Sequence, residues 1–193
     1  MPTLYKDLLF SPNDEGLLAY VEENYDRRQL TELIWDTQEL WLLPILGTAL
    51  YDELKTQSRS GTFTSANLTL IGKINPVMKF RVLADGAPIF TYKMRNKGIV
   101  TQSSDNAQPV TFAELDRLTA YFTDRYQTFA DRLMKFLIEN ETTYPLYSDP
   151  GDGVDTIIPN GQQFRVGWFI GKSPTWRGGY DPCCNGDANT KDL

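Results

Sequence analysis

Thr111-FAELDRLTAYFTDRYQTFADRLMKFLIE-Asn140 carries the strongest helical signal in the chain. Thr111 and Glu114 are spaced as a capping box, in which each side chain satisfies a backbone N–H that the first helical turn leaves free. Val110 and Leu115 occupy the staple positions around it. Phe112, Leu115, Leu118, Phe122, Tyr126, Phe129, Leu133, Phe136 and Leu137 then recur at helical spacing and form one apolar stripe. A helix of that length runs roughly 45 Å at about 1.5 Å per residue, more than a small domain needs for its own core. It is long enough to span a subunit and reach a neighbour. The stripe predicts burial of Leu118, Phe122, Phe129, Leu133 and Phe136 against an earlier face built from Leu33, Ile34 and Trp41.

Upstream, helix signals dominate. Ser11 is placed to cap a first helix, with Pro12 at its first position and Asp14 and Glu15 against the positive end of the dipole. Leu17, Leu18, Val21 and Tyr25 share a face, and the period continues through Leu30, Leu33, Ile34, Trp41 and Leu42, with or without a break at Asp26-Arg27. Pro44 and Gly47 should end it. Thr48 can cap a short helix from Ala49 to about Thr56, followed by a loop at Ser58-Arg-Ser-Gly61. Another helical stretch spans Ser65 to Ile74, and Asn75-Pro76 restarts one with Val77, Phe80, Ala84 and Ala87 inward. Gly86 and Pro88 should kink or interrupt it. Asn96-Lys97-Gly98 is a turn signal before a short β candidate at Ile99-Val100-Thr101.

The composition changes after Tyr147. Residues 148–193 hold eight of the 14 glycines and four of the 11 prolines, which rules out a long helix there. Phe164, Val166, Trp168 and Ile170 alternate with Arg165, Gly167 and Phe169, a strand period with one apolar face. Trp176 and Tyr180 follow. A lone strand has no sheet of its own, so it either folds back or adds to another chain by edge pairing. Phe164, Val166, Trp168, Phe169, Ile170, Trp176 and Tyr180 are therefore the candidate interface residues, with packing on the chain's own helices as the rival. The expected architecture is mainly α: a helical bundle domain over 1–147 with a long last helix and a short β element, then an extended, partly β arm over 148–193.

Charge and chemistry narrow the function. Nineteen Lys plus Arg against 25 Asp plus Glu give a net charge of −6 over 193 residues, which argues against a wrapping grip on nucleic acid. The chain has no histidine, which removes Ser-His-Asp and Cys-His catalysis, His-containing metal sites and any imidazole switch. No phosphate loop, dinucleotide fingerprint or nucleophile elbow is present. Asp149-Pro-Gly-Asp152-Gly-Val-Asp155 spaces its carboxylates three apart, where a helix-loop-helix calcium loop needs two, and reads as an Asp/Gly turn. Glu22-Glu23 and Glu139/Glu141 read as exposed helix charge. Arg27-Arg28 and Lys93/Arg95/Lys97 read as a solvated face or intersubunit ion pairs, with a phosphate contact as the alternative. Cys183 and Cys184 are adjacent, too strained for an easy mutual disulfide and too few for a structural zinc site, and read as free thiols. No catalytic, cofactor or metal residue emerges. The N-terminus lacks the pattern of a signal peptide, and Leu40–Leu46, the longest apolar run, is far below the roughly 20 residues of a membrane span.

The run Gln38-Glu-Leu-Trp-Leu-Leu-Pro44-Ile-Leu-Gly47, followed by Thr48-Ala-Leu-Tyr51-Asp-Glu-Leu54, a helix pair, the Asn96-Lys97-Gly98-Ile-Val turn, a long helix and a Tyr144-Pro145-Leu-Tyr147 exit, resembles small helical head–tail connector (adaptor) proteins of tailed bacteriophages. The resemblance covers roughly residues 15–147 and is most like a family from phages and prophages of Bacteroidota, crAss-like phages among them. It implies a structural protein of the virion neck, made in the host cytoplasm, that forms a ring, commonly of twelve copies, between the portal protein and further neck or tail proteins. It implies no enzyme activity, cofactor or membrane, and a lumen through which DNA passes without sequence-specific binding; a negative channel suits sliding DNA. Two other classes fit the sequence: a small helical binding or regulatory protein acting as monomer or dimer, and an enzyme working with carboxylates or the vicinal thiols.

Overall fold

The computed structural model describes residues 7–21, 26–95, 98–101, 110–151 and 153–162. Its centre is a pair of long helices, α5 (Ser65–Thr91, 27 residues) and α6 (Phe112–Glu139, 28 residues), packed along one another. The Thr111–Glu114 capping box forms as the spacing predicts. On α6 the residues Leu115, Phe122, Tyr126, Ala130, Leu133 and Leu137 face inward, and the Phe80 ring of α5 stacks on Phe129 at 5.5 Å and on Phe122 at 6.5 Å between centroids. The chain is mainly helical, as expected.

The shorter elements wrap this pair. α1 (Glu15–Leu18) is a single turn capped by Asp14, whose carboxylate accepts the Leu17 N–H at 3.0 Å. Ser11 instead closes a turn before it, accepting from the Asn13 N–H, so the helix starts three residues later than Ser11 suggests. α2 (Arg27–Thr37) has its own cap in Asp26 and continues through a π turn at Gln38–Leu42 into α3 (Leu43–Leu46). Pro44 does not end this helix. A proline lacks the N–H and crowds the carbonyl four residues back. Here the preceding turn is already widened, with the Leu43 N–H donating to Gln38 five residues back, and Pro44 opens the narrower turn that follows.

α4 (Thr48–Ser60) is longer than Ala49–Thr56 and absorbs the expected loop, ending at Gly61 in the left-handed conformation. Ser65–Ile74 and the stretch after Pro76 are one helix, α5, capped by Thr64. The residue four before Pro76 is Gly72, exposed and without a side chain to resist local adjustment. Gly86 does not interrupt α5. A Cβ there would lie 3.1 Å from Leu33 Cδ2 and 2.5 Å from the Phe90 ring, so glycine permits the close approach of α2. After α5 come β1 (Tyr92–Arg95) and β2 (Gly98–Thr101), antiparallel with Tyr92 opposite Thr101. Of the two strands, the sequence predicts only the second.

The expected core needs correction. Phe122 and Leu133 are buried and Phe129 and Phe136 partly so, but Leu118 is 45% exposed and Phe112 73%. The partner of α6 is α5, with α2 lying against α5; Trp41 reaches α6 at Tyr126, 5.9 Å between centroids, and stays 37% exposed. Beyond α6, Tyr144 donates to the Ala66 carbonyl at 2.7 Å, tying the exit to the start of α5, and α7 (Pro145–Ser148) buries Tyr147. Residues 156–162, with a short 3₁₀ turn at Asn160–Gln162, pack on α3, α4 and α6. The compact helical unit includes them, so the expected domain boundary at 147/148 falls inside it.

Leu133→Ala should therefore cost about 2–5 kcal/mol in chemical denaturation, because it opens a cavity between α5 and α6. Leu118→Ala should stay within about 0.5 kcal/mol of the parent.

Candidate functional site

Three arrangements on this frame combine polar chemistry or uncovered apolar surface. The first is centred on the π turn, whose extra residue places Gln38 fully inside. Its Oε1 accepts the Leu9 N–H at 2.8 Å, and its Nε2 donates to the Tyr51 hydroxyl at 2.8 Å and to the Asp7 carbonyl at 3.3 Å. Tyr51 donates on to Glu39 at 2.7 Å, where Lys55 also donates at 3.2 Å. Burial, then the Glu39 carboxylate, push the Tyr51 phenol well up, so it stays a donor at any ordinary pH. Ser58 holds the Leu8 carbonyl, and an Arg59–Asp7 fork at 2.6 and 2.5 Å closes the outer edge. Leu9 and Phe10 are buried beneath. Every polar group in the set finds a partner inside it, so the arrangement is an anchor for residues 7–10.

The second lies on the far side of the same turn. The Arg81 guanidinium sits 3.6 Å over the Trp41 ring and forks onto Asp85 at 2.6 and 3.1 Å. Burial pushes the Asp85 carboxyl up, against the pull of Arg81. Arg81 is thus pinned between the Trp41 face and a carboxylate, and Leu40, next to Trp41 in the chain, is exposed.

The third is the outer face of α6. Tyr20 packs edge-on to Phe122 at 6.0 Å and Tyr121 does so at 5.5 Å, and Leu118 stands one turn before Tyr121. Tyr20, Leu118 and Tyr121 are all exposed around that buried ring. Arg125 lies over the Tyr121 ring at 4.1 Å and donates to its hydroxyl. At the start of α6 the buried stripe runs on past the body as Phe112, stacked on Tyr92 at 5.6 Å. Rigid tyrosines beside arginine are the composition that protein interfaces favour.

The sequence-derived interface residues, Phe164, Val166, Trp168, Phe169, Ile170, Trp176 and Tyr180, lie outside the described residues, as do Cys183, Cys184, Glu22, Glu23 and the Lys93/Arg95/Lys97 side chains. Arg27 donates to Asn13 at 2.8 Å, a local tie. Glu139 faces Lys135 at 4.0 Å on the exposed end of α6. Asp149 ends α7 and Asp155 lies in a turn closed by the Thr156 N–H onto the Gly153 carbonyl, both exposed. Among the described residues no group of three His, Cys, Asp or Glu comes together to hold a metal ion, and no helix is long and apolar enough to cross a membrane. The stripe predicts Leu118 in the core and puts Phe112 on the same face, whereas both are exposed, and Tyr121, outside the stripe, is exposed beside them. An apolar face broader than one partner helix can cover is the sequence signal for a second contact surface.

The family model that matches is a family of unknown function, DUF6712, over residues 42–157, more than half of the chain. The chain belongs to that family. No curated protein and no solved structure matches it. The matched segment starts at the end of the π turn, takes in α3 to α7, and stops within the strap that returns to α4. It includes Trp41's neighbours, the α5–α6 pair and the outer face of α6, and excludes the residues 7–10 anchor.

Gln38→Ala should destabilise the chain by about 1–3 kcal/mol, since it strands the buried Leu9 N–H and removes an acceptor–donor pair at once. The Asp7 carboxyl is held below its ordinary value chiefly by the hydrogen bond from Arg59. A depressed carboxyl contributes stability that is present above its unfolded value of 3.8 and is lost as pH falls through the lower folded value. Acid should therefore loosen residues 7–10 in that window, and Asp7→Asn should flatten this part of the pH profile, as read by proteolysis of the N-terminal segment.

Proposed function

We propose that this protein is a structural subunit that works by burying the outer face of α6 against other chains, as a ring-forming connector in the neck of a tailed bacteriophage, between portal and tail. The single observation that carries the interface reading is the cluster of Tyr20, Leu118 and Tyr121 around Phe122, with Arg125 locked over Tyr121. Large apolar side chains gathered on a helix that already has a well-packed inner face mark a second contact surface. The resemblance of residues 15–147 to connector proteins supplies the setting, the virion neck, and the partners: further copies, the portal protein, and neck or tail proteins. The net charge of −6 suits a lumen that DNA passes without sticking. The exposed Phe112 end and the β1–β2 hairpin beside it offer a knob that a neighbouring copy could receive.

The experiment combines the full chain with rings of the portal protein from the same phage. Wild type should join the portal rings as a multiple-copy layer, read by native mass spectrometry. Leu118→Asp/Tyr121→Asp should keep its helical circular dichroism and lose the joining. Wild type that stays a monomer beside portal rings, or a double variant that joins as well as wild type, would overturn the proposal.

A further inference from the structure

We propose that residues 156–161 form a latch over the α3–α4 turn that opens independently of the helical body. The turn itself is unusual. Gly47 has φ 77 and ψ 159, a region essentially restricted to glycine and distinct from the left-handed conformation that ordinarily ends a helix. A helix stop does not require it, and Gly61 ends α4 in the ordinary way.

What the conformation does is open a notch. A Cβ at position 47 would lie 2.6 and 2.7 Å from the Pro159 ring and 3.2 Å from the Ile157 carbonyl. The same turn presents both polar groups of Thr48 to the strap: its N–H donates to the Ile157 carbonyl at 3.1 Å, and its hydroxyl accepts the Ile157 N–H at 2.8 Å. Thr48 thus serves the strap rather than capping α4. Pro159 is buried in the notch, and Gly161 lies over the buried Tyr147 hydroxyl, where a side chain would not fit. Glycine at 47 and at 161 and proline at 159 are complementary parts of one closure.

The closure is narrow. Val154, Ile157 and Ile158 are exposed, and the two Thr48–Ile157 bonds lie near solvent. Few buried contacts and solvent-edge hydrogen bonds are the marks of a segment that opens far below the free energy of global unfolding. Closed, residues 156–161 cover the Gly47 notch and the Tyr147 hydroxyl; open, they leave both uncovered. The latch is independent of the neck reading, since it concerns this chain alone.

Native-state hydrogen exchange on the full chain tests it. The Ile157 amide should exchange through an opening that low guanidinium concentrations do not accelerate, whereas the Leu133 amide should follow global unfolding. Thr48→Val removes the acceptor at nearly constant shape and should speed Ile157 exchange about tenfold while leaving Leu133 unchanged. Gly47→Ala should do the same and add protease cleavage within 149–162. Should Gly47→Ala fail to fold, Pro159→Gly empties the notch without touching the turn and should give the same cleavage. Exchange of Ile157 only through global unfolding, or Thr48→Val shifting both amides together or neither, would overturn the latch.

Discussion

The pairing of α5 with α6 is the contact on which the rest of the structure depends. Two helices of 27 and 28 residues lie along each other, with Phe80 stacked between Phe122 and Phe129. A helix as long as α6 buries its stripe only if a partner of equal length runs beside it. α5 provides that length because Pro76 and Gly86 do not break it: the first meets a bare Gly72 four residues back, and the second makes room for Leu33 of α2. With the pair in place, the shorter helices need only cover its flanks.

Their attachment is polar at one end and steric at the other. Around the π turn, Gln38 converts the extra residue into a buried hub for Leu9, Asp7 and Tyr51. A buried amide with all its partners is stable, and one partner lost leaves several groups stranded, so the hub acts as a unit. At the other end, the strap is seated by shape, proline into a glycine notch. The family match covers residues 42–157, so it takes in α3 to α7 and the Gly47 notch but stops before Pro159, and it leaves out Gln38 and residues 7–10 of the hub.

Much of this was legible in the residues. The capping box at Thr111, the length of α6, the helical character and β2 follow from local chemistry acting over a few residues. What escaped was decided by tertiary contact. Pro44 looked like a stop because nothing local announces a π turn. Thr48 looked like a cap because its true partner, Ile157, lies 109 residues away. Ser58-Arg-Ser looked like a loop, yet Ser58 and Arg59 are held in helix by Leu8 and Asp7. The outer surface is half legible: the α6 stripe points all of its residues to one core, whereas Leu118 faces out, and Tyr121 beside it is no part of that stripe. The β-period at Phe164–Ile170 lies outside the described residues.

On the proposed reading, the inner side of α6 serves the fold, while Tyr20, Leu118 and Tyr121, exposed among the described residues, gain only when another chain covers them. An electron cryomicroscopy map of a particle containing this chain decides the matter. The account predicts that Tyr20, Leu118 and Tyr121 are covered by another chain, with α5 and α6 paired as here. A particle in which that face of α6 looks into solvent while other surfaces hold the subunits together would contradict it.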